Sequence, residues 1–322
     1  MHCRALAKAA VVLVGVGLGT VTAQESGSPF PFDTKRSTTI GHRGVVATSQ
    51  PLAALAGLDI LKKGGNAIDA AIATAAVLTV VEPHSTALGG DMFAMVYLEA
   101  DKRLVGLNGS GRSAYGMTLN ALKQRLDAQG MDRLDGIFAV SVPGAVAGWF
   151  ALLEEYGTMT MAEVLAPAIY YAERGFHVTE RIGEAWAGNE RKLLREPPAA
   201  ATWLVDGKAP RIGDLFVNPA LAKTLRLIAE GGRDAFYRGP IAEAIVAYSD
   251  SKRGFLTMQD FEEHTSTWVE PLSTDYDEYT LYELPPNGQG IAALEMVNTL
   301  ENIDMEALGH NSAAYLHHLI EA

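Results

Sequence analysis

Lys63 to Phe93 reads KGGNAIDAAIATAAVLTVVEPHSTALGGDMF, and the rest of the chain can be organised around it. Gly64 and Gly65 stop one helix. Asn66 can cap the next, with Asp69 three residues on, where a carboxylate reaches back to a free backbone N–H. Ala67 to Val81 is almost wholly apolar and rich in alanine, which predicts a helix buried on more than one side. Pro83 ends it. Gly89-Gly90 then permits a tight turn before Met92 to Leu98 extend as a strand.

Upstream, Val45 to Thr48 predicts a short strand, and Ser49-Gln50-Pro51 opens a helix with proline in its first turn, where the missing N–H costs nothing. Leu52, Leu55, Leu58 and Leu61 are the predicted buried stripe of that helix, which Gly64 stops. Downstream, a polar turn leads to a second strand over Arg103 to Leu107. Helices are predicted over 119–129, 143–156 and 161–174, with a strand at 137–140. An amphipathic helical pattern covers 179–195 and breaks at Glu196-Pro197-Pro198. Helices over 219–230 and 241–248, a strand over 276–284 and a helix over 289–301 follow. Strands are a minority and arrive beside helices, so the class is a layered α/β domain.

Arg4 and Lys8 precede an apolar run from Ala9 to Val21 and an A-x-A-like site at Val21-Thr22-Ala23. Residues 1–23 therefore read as a secretory signal peptide, with an uncleaved anchor as the alternative. The run is shorter than the roughly 20 residues of a membrane span. Cys3, the one cysteine, would leave with the leader, so the expected mature chain, 24–322, is held by its core without disulfides. A periplasmic or secreted location is the expectation. The net charge of −12 argues against nucleic acid or an anionic membrane as a partner. No CxxC, HExxH or Walker-type loop occurs, so neither a metal nor a nucleotide cofactor is expected. His42 and His84, near glycine turns, read as structural or cleft-lining. His317-His318 are adjacent and share no helical face, which makes them poor metal ligands.

The 63–93 block resembles the N-terminal signature of the gamma-glutamyltranspeptidase (glutathione hydrolase) family. So do Ser141 to Phe176, beginning SVPGAVAGWF, and Gly213 to Val246, beginning GDLFVNPALAKTL; Leu256 to Met305 is similar to the segment that closes the family's large subunit. The resemblance spans about residues 38 to 322. It implies part of the four-layer αββα sandwich of N-terminal-nucleophile hydrolases. It also implies a self-cleaving precursor, whose small subunit begins with a threonine that attacks γ-glutamyl amides such as glutathione, with its own α-amine as base.

That threonine stands in a Thr-Thr-His-like motif of the family, downstream of these blocks. Thr38-Thr39-Ile40 lies before the first block and reads as linker, while Thr265-Ser266-Thr267 lies inside the last block and reads as strand or turn. No catalytic residue is therefore assigned in this chain, and 24–322 alone is expected to be inert. The chain stops inside a helix-like pattern carrying Leu316, Leu319 and Ile320, read either as a fragment of a longer family polypeptide, whose own small subunit is then the expected partner, or as a reading frame that ends early.

One substrate contact is assigned. The resemblance places an arginine that forks onto the substrate α-carboxylate in the segment matching Leu107 to Gly116, LNGSGRSAYG. Ser110 occupies its place, and Arg112 stands two residues on, on the same face of an extended backbone. A guanidinium suits a carboxylate because two parallel charge-assisted bonds match its geometry. Arg112 is thus the candidate substrate-binding residue, with a surface or ion-paired role as the alternative. A second departure is Pro285-Pro286-Asn287-Gly288-Gln289-Gly290, where Asn287 is read as a helix cap rather than a substrate contact. These departures favour a branch that includes acylases and related amidases. An inert scaffold subunit and a periplasmic solute-binding protein are the competing readings.

Overall fold

The computed structural model describes residues 38–322; the leader read in residues 1–23, with Cys3, lies outside the described residues. Residues 38–42 belong to an N-terminal unit, Met1–His42, and form no helix or strand. Arg43–Ala322 is the second unit and holds every element described below.

At its centre α1 (Pro51–Lys62) packs on α2 (Ala67–Val81). Asn66 caps α2 by accepting the Ile68 and Asp69 N–H groups, and Asp69 returns the bond to the Asn66 N–H at 2.8 Å, as the Asn-x-x-Asp spacing predicts. The leucine stripe predicted for α1 is corrected. Ala53, Ala56, Gly57 and Ile60 are buried, whereas Leu55 and Leu58 are exposed. The small face wins because α2 is itself an alanine-rich surface, and two flat faces bring their backbones closer than leucines would allow. Val45 to Thr48 also departs from expectation: among the described residues it joins no ladder, and a strand needs a hydrogen-bonded neighbour as well as β-branched side chains.

β1 (Met92–Leu98) and β2 (Arg103–Gly109) form an antiparallel pair, extended by β5 (Thr267–Val269) on the far side of β2. Alternation sorts the β1 side chains. Met92, Ala94 and Val96 pack on the core, while Phe93, Met95 and Tyr97 are 43%, 45% and 56% exposed. Between β2 and β5 come α3 (Leu119–Ala128), α4 (Ala145–Tyr156), α5 (Met161–Arg174), β3 (Phe176–His177), α6 (Glu180–Leu193), α7 (Pro197–Trp203), β4 (Leu215–Phe216), α8 (Pro219–Tyr237), α9 (Pro240–Ser251) and α10 (Met258–Glu262). Helices α2, α5 and α8 pack in series, and α4 lies against β1 and β2. The result is an α/β fold with one helical layer on the core side of a small sheet.

Three further expectations shift. Residues 137–140, read as a strand, contain a 3₁₀ turn, Gly136–Ala139, started by the Asp135 carboxylate on the Gly136 N–H. Glu196-Pro197-Pro198 breaks α6 but also begins α7, because proline is tolerated in a first turn. The strand expected at 276–284 is the second arm of a hairpin, β6 (Leu272–Tyr276) and β7 (Tyr279–Glu283), turned by Asp277 at φ 53°. The chain then runs through α11 (Gly290–Leu300) to α12 (Ala313–Glu321). Among the described residues no helix is long and apolar enough to cross a membrane.

Candidate functional site

The end of β2 and the segment after it form one wall of an open cleft of about 620 Å³. Asn108, Ser110, Arg112 and Tyr115 line this wall, His264 and Thr267 face them from the approach to β5, and Asn287 closes one side. The wall is held by backbone contacts that a side chain would obstruct. A β-carbon on Gly111 would lie 1.6 Å from the Val142 carbonyl oxygen, so glycine is what lets the two segments approach. Across that approach Val142 N–H donates to the Arg112 carbonyl at 2.9 Å, and Gly111 N–H donates to Asp91 Oδ1 at 2.8 Å. Asp91 follows the Gly89-Gly90 turn, and the Gly90 carbonyl accepts the Gly144 and Ala145 N–H groups at the start of α4. The glycine turn is thus a brace between β1, α4 and the cleft wall.

Arg112 is exposed within the cleft lining, and among the described residues its guanidinium forms no ion pair. The Arg112 fork is therefore available to an anionic ligand.

Ser110 and Asn287 meet. Ser110 Oγ lies 3.1 Å from Asn287 Oδ1 and 3.0 Å from its Nδ2, and Asn108 Nδ2 donates to the same Oδ1 at 2.8 Å. Asn108 Oδ1 in turn accepts the Ser110 N–H at 3.0 Å. This corrects the cap reading of Asn287: α11 starts after Gln289 with no side-chain cap, and the Asn287 amide is spent on β2 instead. Ser110 and Asn287, one from each segment that departs from the resemblance, belong to one hydrogen-bonded cluster.

The opposite side is acidic but occupied. Tyr115 N–H donates to Asp260 Oδ1 at 2.7 Å, and Asp260 Oδ2 accepts the Thr257 N–H and hydroxyl at the start of α10. Tyr115 Oη–H donates to Glu263 Oε2 at 2.8 Å. Hydrogen bonds from Gln259 and Tyr115 hold the Glu263 carboxyl below its ordinary range, and the bond to Glu263 raises the Tyr115 phenol.

His264 is 3% exposed and stacks on Tyr237 with ring centroids 5.4 Å apart. Burial, then the positive fields of Arg233 and Arg112, lower its pKa to about 4, so it is neutral near pH 7. Among the described residues neither ring nitrogen has a hydrogen-bond partner. The cleft therefore offers a cation and amide groups for binding, beside a Tyr115 hydroxyl already bonded to the Glu263 carboxylate. The structure puts Arg112 in this cleft and leaves His84 elsewhere, beside Trp186 and Trp203. Sequence reading passes over Asn108, Tyr115, Asp260 and His264; the one available signal is His264-Thr265-Ser266-Thr267, a polar run entering a strand.

A family profile described as Gamma-glutamyltranspeptidase matches residues 53–322. The chain belongs to the gamma-glutamyltranspeptidase family. It is 41% identical over 285 residues to the Glutathione hydrolase-like YwrD proenzyme of Bacillus subtilis, a match covering 88% of this chain and 53% of that protein. Among solved structures it is similar to cephalosporin acylase from Bacillus halodurans, with TM-score 0.82, 42% identity and coverage of 90% of this chain and 54% of that one. It is also similar to Helicobacter pylori gamma-glutamyltranspeptidase, with TM-score 0.82, 32% identity and coverage of 88% and 82%. The chain spans about half the length of the curated relatives it matches. Within the gamma-glutamyltranspeptidase family, then, this chain corresponds to the large-subunit region, and its relatives include hydrolases named for different acyl donors.

Proposed function

We propose that this chain is the large-subunit portion of an exported amide hydrolase or acyltransferase, and that its Arg112 cleft holds the carboxylate of the acyl group. The acyl bond, in this reading, is opened by an N-terminal threonine supplied by polypeptide beyond these 322 residues, whose hydroxyl is activated by its own α-amine. The observation that carries the reading is the unpaired Arg112 fork in a cleft of a chain with this family membership. The exposed face of β1, with Phe93, Met95 and Tyr97, supports a further layer of polypeptide packing there.

Gamma-glutamyl amides such as glutathione are the first acyl donors to test. A second reading, an acylase for carboxyacyl groups lacking the α-amine, is favoured by Ser110 and Asn287 standing hydrogen-bonded where the resemblance places an arginine and small hydroxyls. Hydrolysis of γ-glutamyl anilide and glutaryl anilide by the complete self-processed protein separates the two. Turnover of neither, in protein shown by intact mass to have cleaved itself, would remove both. Export rests on the leader read in residues 1–23. N-terminal sequencing of the protein from a periplasmic or culture fraction should begin at Gln24; an intact Met1 in that fraction would favour the uncleaved anchor, and recovery from the cytoplasmic fraction alone would refute export.

A further inference from the structure

Two Asn-Gly dipeptides occur in the sequence, Asn108-Gly109 and Asn287-Gly288, and the fold sets them side by side. Asn-Gly is the dipeptide in which a backbone nitrogen most readily attacks the preceding side-chain amide, because glycine has no β-carbon to hinder the approach and few conformational limits. The Gly288 nitrogen would bond to Asn287 Cγ, charge would collect on Oδ1, and ammonia would leave from Nδ2 to give a five-membered imide. The Gly288 N–H proton goes to solvent, and the departing nitrogen takes a proton back. Water then opens the ring to aspartate or isoaspartate, so the balance is one water in and one ammonia out.

The surroundings of the two asparagines differ. Asn108 lies within β2, where Gly109 is held in the ladder opposite Met92 and a β-carbon on it would lie 2.8 Å from Met92 Cγ. Closing the Gly109 nitrogen onto the Asn108 side chain would break that ladder pairing. Asn287 sits instead in an exposed turn. Outside its chain neighbours, no atom lies within 4 Å of where a Gly288 β-carbon would be.

Asn287 is also activated by what it touches. Its Oδ1, where the negative charge develops, accepts from Asn108 Nδ2 at 2.8 Å and from Ser110 Oγ at 3.1 Å. Two donors already aimed at that oxygen stabilise the tetrahedral intermediate as an oxyanion hole does. Ser110 Oγ also accepts from Nδ2 at 3.0 Å; as that nitrogen leaves, the one hydroxyl hydrogen turns from Oδ1 to it, is replaced from solvent, and Asn108 keeps hold of the oxygen.

We propose that Asn287 is a self-modification site, which cyclises with Gly288 and deamidates, placing a carboxylate in the wall of the Arg112 cleft. The new charge shares that wall with Arg112 and opposes a carboxylate-bearing ligand; this consequence, unlike the chemistry, rests on the function proposed above.

The test is peptide mapping by mass spectrometry of the full-length protein held in mildly alkaline buffer, beside the same chain unfolded in guanidinium. The folded protein should gain about one dalton at the Asn287 peptide, with isoaspartate present, while the Asn108 peptide keeps its amide. Unfolded, both peptides should react. Gly288→Ala and Ser110→Ala should each slow the folded-state reaction several-fold. An Asn287 amide that survives in the folded protein while reacting in the unfolded chain overturns the proposal, as does equal reaction of Asn108 and Asn287 in the folded state. These mass changes are read independently of any amidase activity, so failure of the functional reading leaves them interpretable.

Discussion

Asp69, fully buried in α2, accepts the Thr158 hydroxyl at 2.6 Å, although the two residues are 89 positions apart. The same carboxylate takes the Thr158 N–H at 3.0 Å, the Met159 N–H at 3.1 Å and the Asn66 N–H at 2.8 Å. It therefore fastens the entry to α5 onto the start of α2, and Asn66 Nδ2 adds a bond to the Tyr156 carbonyl at 2.6 Å. Burial pushes the Asp69 carboxyl up, but the Thr158 hydroxyl and the three N–H donors outweigh it and hold it below its ordinary value of 3.8.

Asp69→Ala should cost about 3 kcal/mol or more, because four donors lose their acceptor in a closed space. Asp69→Asn should cost less, since one amide oxygen can still accept. Urea unfolding midpoints measure both, and an unchanged midpoint for Asp69→Ala would show the carboxylate to be dispensable. With its folded pKa depressed, Asp69 contributes stability above pH 3.8 that is lost as pH falls further.

His264 predicts a separate acid step at higher pH. Its pKa falls from 6.5 to about 4 on folding, so the unfolded chain binds the extra proton between those values. Stability from this group is full above pH 6.5, declines as pH drops through that window, and is gone below about 4. The contribution is at most about 3 kcal/mol. His264→Gln should flatten the stability curve between pH 6.5 and 4 and leave the lower Asp69 step in place. An unaltered curve would place the titration on another group.

How much of the fold and the site is legible in the sequence varies with the range of the interaction. The α2 cap and box are readable from Asn66 and Asp69 because both lie within one helical turn. The α1 face is not, because leucine spacing reports apolarity, while the choice between Leu55 and Ala56 depends on the flatness of α2. Asn287 misleads for a similar reason. Its nearest helix suggests a cap, but its amide is claimed by Ser110 and Asn108 from strand β2 and the residue after it, partners no local pattern reveals. Asp69's bond to Thr158 is equally invisible, although the carboxylate itself stands out.

Tyr237 should prove to be a folding anchor rather than an acid. Fully buried, it donates to the Pro143 carbonyl at 2.7 Å and accepts the Ala147 N–H at 2.9 Å, joining α8 to the entry of α4. Burial raises its pKa strongly, against the pull of the Ala147 N–H and Arg233, so it stays protonated through the working range. Tyr237→Phe keeps the ring but strands both backbone groups, and should cost about 1–3 kcal/mol. Thermal unfolding measures it, and a neutral effect would mean that other partners replace the hydroxyl.

Arg112→Ala in the complete, self-processed protein should raise KM for carboxylate-bearing acyl donors by about tenfold or more, as expected when a charge-assisted pair with the ligand can no longer form. Arg112→Lys should recover only part of it, because an ammonium keeps the charge but not the planar fork. For an acyl donor without a carboxylate, Arg112→Ala should leave KM unchanged. An equal rise in KM on both donors would move Arg112 from substrate binding to support of the cleft wall.

Gly111→Ala tests whether that wall depends on close backbone approach. The added β-carbon would sit 1.6 Å from the Val142 oxygen, a distance that no rotamer can relieve, because the obstruction is main chain. The wall must therefore move, lengthening the Val142 N–H bond to the Arg112 carbonyl or the Gly111 N–H bond to Asp91. Overpacking of this kind costs about 1–3 kcal/mol. It should also carry Arg112 out of register, so that Gly111→Ala reproduces the donor selectivity of Arg112→Ala on top of a lowered Tm. A variant with lowered Tm but parental KM on every donor would mean that the Arg112 side chain finds its ligand wherever the backbone sits, and that the wall serves only stability.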